Sequence, residues 1–295
     1  MTVFFSVLAP IIVLLIYILF LGDSQADSIM ALIESKGYAG MVTDSEVRAI
    51  VNNWMISGVM GVSCITVTIN ANMVMVRDRM NGNVNDIISS PVKHWVLYLS
   101  YIISCFIVTF CICMIVLLLS ICYLAGTGGL MMSFVDFLLI LCVSILSILS
   151  SSFFIVLICG FIKSTSTMAA LNGIISAAIG FIIGAYLPFG MLPKYMEYIA
   201  CFIPGSYSAG LFRNYFMGGV INHLGEKIPA DVVNSLLGQY SVNLEFFGYK
   251  VSTGFMFFAI IISILVFGAL ILIFYSNKKT NFFLMSRKRK NKKSK

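Results

Sequence analysis

WVLYLSYIISCFIVTFCICMIVLLLSICYLAGTGGLMMSFV, residues 95–135, contains no Asp, Glu, Lys or Arg. As a single helix it would be about 60 Å long, twice the roughly 30 Å hydrocarbon thickness of a bilayer. GTGG at 126–129 divides it, because glycine weakens a helix and readily takes turn conformations. The stretch therefore reads as one membrane crossing over 96–125, a turn, and the approach to another crossing over 136–161.

Working outward, four further apolar runs are long enough to cross: VFFSVLAPIIVLLIYILFL (3–21), WMISGVMGVSCITVTINANMVMV (54–76), MAALNGIISAAIGFIIGAY (168–186) and TGFMFFAIIISILVFGALILIFY (253–275). Of all residues 60% are apolar and 11% charged, against roughly 45–50% and about 25% in a soluble domain. No single water-soluble core accommodates that excess. The expected fold is an all-α integral membrane protein with about six transmembrane helices, residues 1–276 forming one membrane domain.

Charge placement sets the expected orientation. The polar segment 22–53 holds five acids (Asp23, Asp27, Glu34, Asp44, Glu46) against Lys36 and Arg48, which suits the outer side. The short segment 77–93 carries Arg77, Arg79 and Lys93 and reads as cytoplasmic. The tail 277–295 contains nine Lys or Arg and no acid, a basic segment suited to anionic lipid on the cytoplasmic face. Six crossings then place both termini in the cytoplasm of a multi-pass cell-membrane protein. Between them, 187–212 contains Pro188, Pro193 and Pro204 among apolar residues and reads as an external re-entrant helical hairpin, followed by an external loop over 213–250.

The net charge of +7 is concentrated in that tail, with no folded basic face and no aromatic platform, so nucleic acid is not an expected partner. The eight cysteines fall almost entirely in apolar runs without metal-ligand spacing, and no metal is expected. His94 and His223 belong to loops on opposite sides and cannot share a site. Asp136 and Lys163 sit at span ends and read as interfacial anchors. No GxxxxGK[ST] loop occurs, so the chain has no P-loop of its own for ATP and is not expected to be an enzyme. Uncharged polar residues recur at helical spacing: Thr66, Asn70 and Met73; Ser144, Ser147 and Ser151; Asn172 and Ser176. They serve either helix packing or the lining of a substrate cavity, with Thr66, Asn70, Asn172 and Ser176 the cavity candidates. GFIIG at 180–184 offers a face for close helix approach, as in a dimer.

Two motifs carry a family resemblance. VMVRDRMNGNVNDIISSPVKHWVLYLSYIIS, 74–104, resembles the loop after the second span in permease subunits of ATP-binding-cassette exporters of the second permease type: a charged pair, a glycine, an apolar helical turn, then Ser-Pro and a basic residue. YLPFGMLPKYMEYIACFIPGSYSAGLFRNYFM, 186–217, resembles the same family's proline-bounded segment after the fifth span. The resemblance implies a cytoplasmic coupling helix that seats in a separate ATPase, built here from Arg77, Asp78, Arg79, Gly82, Asp86, Ile87, Ile88, Ser90 and Pro91. It also implies a hairpin beside the cavity, with Pro188, Pro193, Glu197, Pro204, Tyr207 and Arg213.

The partners implied are two ABC ATPase subunits, which bind the ATP and Mg, a second permease half, identical or similar, and membrane lipid. No cofactor is expected in this chain. The function implied is ATP-driven outward movement of an amphipathic drug, antimicrobial peptide or lipid-like molecule. Family members carry an amphipathic connecting helix before the first span, whereas this sequence opens at MTVFFSVLAP; a variant without that helix and a start lying upstream both fit. A different class of reading is a non-transporting sensor, scaffold or immunity protein that binds a peptide through the external loops. An ion-coupled carrier is disfavoured, because the spans lack buried charge.

Overall fold

The computed structural model describes residues 10–17, 20, 22–38, 40–89, 94–240, 242, 244–246 and 248–276. The basic tail, Ser90, Pro91, Lys93 and the start of the first expected crossing lie outside them. The helices are α1 (10–16), α2 (Gly22–Ser35), α3 (Asp44–Asn81), α4 (Asn83–Ile88), α5 (His94–Gly126), α6 (Phe134–Phe161), α7 (Thr165–Ile182), α8 (Lys194–Ala200), α9 (Pro204–Gly225), α10 (Ala230–Gln239) and α11 (Thr253–Ser276). Sheet among the described residues is a single antiparallel pair, Glu245–Phe246 with Tyr249–Lys250. Among the described residues five helices are long and apolar enough to cross a membrane: Asp44–Asn81, Trp95–Gly126, Phe134–Phe161, Thr165–Ile182 and Thr253–Phe274. Helix α1 belongs to the first expected crossing, whose other residues are only partly described. The molecule is an all-α membrane protein.

Helix α3 is the spine. Its 38 residues span about 57 Å, well beyond the hydrocarbon core. It starts ten residues before the apolar run at Trp54, because Thr43 and Glu46 form a capping box in which the Thr43 amide donates to Glu46 Oε2 at 2.9 Å. It continues past Val76 to Gly82, whose φ of 86° takes the left-handed conformation that ends a helix. Close packing along it depends on small residues: a Cβ on Gly58 would lie 3.0 Å from Ala185, and one on Gly61 3.2 Å from Ala209.

Helices α6 and α11 run parallel. Ser150 and Ser263 hydroxyls meet at 2.7 Å, and the rings of Phe154 and Phe267 (5.1 Å) and of Phe161 and Phe274 (6.1 Å) follow at the same sequence offset. Since α7 returns after α6, the chain between α7 and α11 makes no net crossing. The intervening path is visible in its contacts. Gly190 abuts Gln239 at one end of the bundle, where a Cβ would lie 2.9 Å from the Gln239 carbonyl oxygen; Gly205 then sits against Ile65, halfway along the apolar part of α3. From there α9 climbs back until His223 lies 3.1 Å from Glu46, and Lys227 donates to the same carboxylate. The segment thus goes in from one end of the bundle and comes back to it, and its second helix reaches Gly225 rather than stopping near residue 212.

Segments 22–53 and 213–250, expected as external loops, fold into a cap on this end: α2, the first turns of α3, the end of α9, α10 and the short ribbon. Trp54 organises it. Its Nε1–H donates to the Tyr240 carbonyl at 3.1 Å, the Tyr240 ring packs edge-on at 5.6 Å, and the Tyr240 hydroxyl donates to Gln25 Oε1 at 3.1 Å. Burial pushes the Tyr240 phenol up to about 12, which keeps it a neutral donor. Ile29, Ile33, Val232 and Leu236 complete the apolar layer.

Candidate functional site

At the opposite end, Gly82 turns the chain from α3 directly into α4. Val84 is buried and anchors the short helix, whereas Asp86 and Ile87 face outward. The two residues before the turn fix its position. Asp78 accepts from the Tyr101 hydroxyl of α5 at 2.9 Å and from Asn83 Nδ2 of α4 at 3.2 Å. Arg79 Nη1 lies 2.9, 3.1 and 2.7 Å from the carbonyl oxygens of Cys159, Gly160 and Ile162, where α6 ends. A helix C-terminus exposes unpaired carbonyls and partial negative charge, and a guanidinium satisfies both. Arg77 is exposed. The side chain of Ile88, with Ser90 and Pro91, lies outside what is described.

The structure thus gathers Asp78, Arg79 and Gly82 at the α3–α4 junction and leaves Asp86 and Ile87 on the outward surface of α4. Asp78 ties this junction to α5, and Arg79 ties it to α6. Neither long-range contact has a local sequence signal; the glycine after a charged pair is the one visible mark.

In the hairpin, Pro188 precedes a 3₁₀ turn at Phe189–Met191, Pro193 precedes α8, and Pro204 opens α9 at its first turn, where proline's missing N–H costs nothing. The Tyr207 hydroxyl donates to the Cys201 carbonyl at 2.7 Å and so pins the start of α9 to the end of the α8 turn. Desolvation raises the Glu197 carboxyl above its usual range, with Glu245 adding and Lys194 opposing. Arg213, expected near a cavity, is fully buried. Its Nη2 lies 2.7 Å from both the Ile183 and Gly184 carbonyl oxygens, and its guanidinium lies 5.9 Å from the Phe189 ring centre. It closes the C-terminus of α7 as Arg79 closes that of α6.

Of the polar span residues, Asn70, Asn172 and Ser176 come together. Asn172 Nδ2 donates to Asn70 Oδ1 at 2.8 Å, and the Ser176 hydroxyl donates to Asn172 Oδ1 at 3.2 Å. Thr66 stands apart and donates to the Val62 carbonyl of its own helix at 3.0 Å. An apolar crevice of about 310 Å³ lies where α6, α7, α11 and the start of α9 meet, bounded by Phe154, Ile175, Ile179, Pro204 and Phe267. Among the described residues no group of His, Cys, Asp or Glu is arranged to hold a metal ion.

These features define a polytopic membrane protein with a helical hairpin between α7 and the end of α9 and a short helix, α4, between the long helices α3 and α5. A family model described as ABC-2 type transporter matches residues 1–217, and the chain belongs to that family. It is therefore the membrane permease of an ABC transporter, a component that works with ABC ATPase subunits. No curated protein and no solved structure matched the chain.

Proposed function

We propose that the chain is the transmembrane half of an ATP-driven exporter, in which α4 seats in a separate ATPase and the ATPase movement reaches α5 and α6 through Asp78 and Arg79. The observation that carries this reading is the mounting of α4: a surface bearing Asp86 and Ile87 whose base is fastened to two other spans.

In this reading two ATPase subunits bind the ATP and Mg, and α4 and both termini face the cytoplasm. A second permease half covers α7, whose outward face carries the small residues Ala170, Gly173 and Ala177. The apolar crevice beside that face suits an amphipathic substrate.

The test is reconstitution with the cognate ATPase. Asp86→Lys and Ile87→Glu should leave the permease assembled in the membrane but abolish its stimulation of ATP hydrolysis and its export of an amphipathic dye. Normal stimulation in both variants would overturn the docking role.

A further inference from the structure

A crevice of about 440 Å³ lies between α3 and α5 at the end of the bundle that carries α4. Its mouth holds a cation and an anion side by side, Arg77 and Asp78. Its lining then changes with depth. Along α5, Ser100, Tyr101 and Ser104 give way to Cys105, Val108 and Ile112, and the rise from Tyr101 to Ile112 is about 16 Å. Arg77 is also the first charge after the uncharged run 54–76, which places it at headgroup depth.

Polar capacity remains on these walls. Arg77 makes no hydrogen bond or ion pair among the described residues. Asp78 accepts from Tyr101 and Asn83, two of the roughly four lone-pair directions a carboxylate offers. Deeper in the wall, Asn72 is 2% exposed and its Oδ1 has no donor. Its Nδ2 donates to the Thr68 carbonyl at 3.1 Å and to Cys105 Sγ at 2.9 Å. A carbonyl only accepts, so the Thr68 contact fixes which way the amide points.

We propose that this crevice binds a phospholipid whose headgroup carries a primary ammonium, of the phosphatidylethanolamine type. The phosphate meets Arg77 and the ammonium donates to the open lone pairs of Asp78, both as charge-assisted hydrogen bonds. The glycerol ester oxygens accept from the Ser104 hydroxyl, and an acyl chain covers Val108 and Ile112. An anionic headgroup without an ammonium leaves Asp78 uncompensated, and a trimethylammonium has no N–H to donate. The site lies within one permease chain. Binding needs neither nucleotide nor a second half, so its outcome is separable from that of the export reading.

The experiment is native mass spectrometry of the detergent-purified full chain, titrated with dioleoyl phosphatidylethanolamine, its N-methyl and N,N-dimethyl derivatives, phosphatidylcholine and phosphatidylglycerol. The first ethanolamine lipid should bind about tenfold more tightly than the choline or glycerol lipid, with affinity falling at each added methyl. Asp78→Asn should erase the preference for ethanolamine over choline, and Arg77→Gln should weaken all the phospholipids together. Ser104→Phe fills the crevice without altering a charge and should also erase the preference. Equal binding of ethanolamine and choline lipids by the unmodified chain would overturn the proposal, and that comparison requires no variant to fold. A preference that survives both Asp78→Asn and Ser104→Phe would overturn it as well.

Discussion

Arg79 Nη1 donates to the carbonyl oxygen of Ile162 at 2.7 Å, so a side chain at the end of α3 closes the C-terminus of α6. Arg213 makes the equivalent contact with Ile183, also at 2.7 Å, for α7 at the other end. Carbonyls left open where a helix end is packed against its neighbours lose hydrogen bonds they would make to water, so each arginine should support the helix it closes. Arg79→Met should destabilise the purified protein by about 2–3 kcal/mol. Arg79→Lys should recover part of that loss, since an ammonium keeps the charge but lacks the planar fork. Thermal unfolding followed by size-exclusion elution measures both, and a Met variant that melts with the unmodified protein would remove the role.

Two adjacent glycines in α9 should respond oppositely to the same change. A Cβ on Gly219 would lie 1.8 Å from the Met131 carbonyl oxygen, whereas nothing stands within 4 Å of one on Gly218. Gly219→Ala should therefore cost about 3 kcal/mol or more, or block assembly. Gly218→Ala should be neutral or stabilise by up to about 1 kcal/mol through helix propensity. Equal melting temperatures for the two variants would show that the 127–133 turn does not rest on α9.

Glu197 supplies a pH-dependent case. Its carboxyl is raised in the folded hairpin, so the fold favours the protonated form, and stability falls as pH rises from the unfolded value through the folded one. Glu197→Gln removes that ionisation. The variant should melt above the unmodified protein at neutral pH, and the difference should vanish below about pH 4, where the carboxylic acid is already neutral. A difference that persists in acid would assign the effect to packing instead.

Five of the apolar runs lie on long helices and Pro188, Pro193 and Pro204 each precede or open a helical turn, because hydropathy and proline report directly on solvent and backbone geometry, as in the charge-free stretch 95–135. The upper part of α3 also had a readable signal, the Thr43–Glu46 box, but hydropathy falls off before it, and a helix in water ends on caps rather than on polarity. The cap formed by α2, α9 and α10 was hidden in segments 22–53 and 213–250, whose polar average masks buried residues such as Ile29 and Leu236. The arginine contacts were least legible. Arg79 and Ile162 are far apart in the sequence, and an arginine that closes another helix looks, in one dimension, like any loop charge. Arg213, which the family motif puts with the hairpin beside the cavity, lies fully buried against the end of α7.

The last prediction concerns the polar tie between α3 and α7. Helix α7 covers little of its surface against its neighbours, and Asn172 reaches Asn70 at 2.8 Å with Ser176 behind it. Interhelical hydrogen bonds in membranes contribute about 0.6 kcal/mol on average and up to about 1.7, because polar groups in the unfolded chain also find partners. If the tie is a bond between these two amides, removing either side should already lose all of it. Asn70→Ala and Asn172→Ala should then destabilise non-additively, with a coupling energy within that range in a double-mutant cycle. Additive losses would mean that each asparagine acts on its own surroundings and that α7 is positioned by packing at Met168 and Ile179 alone.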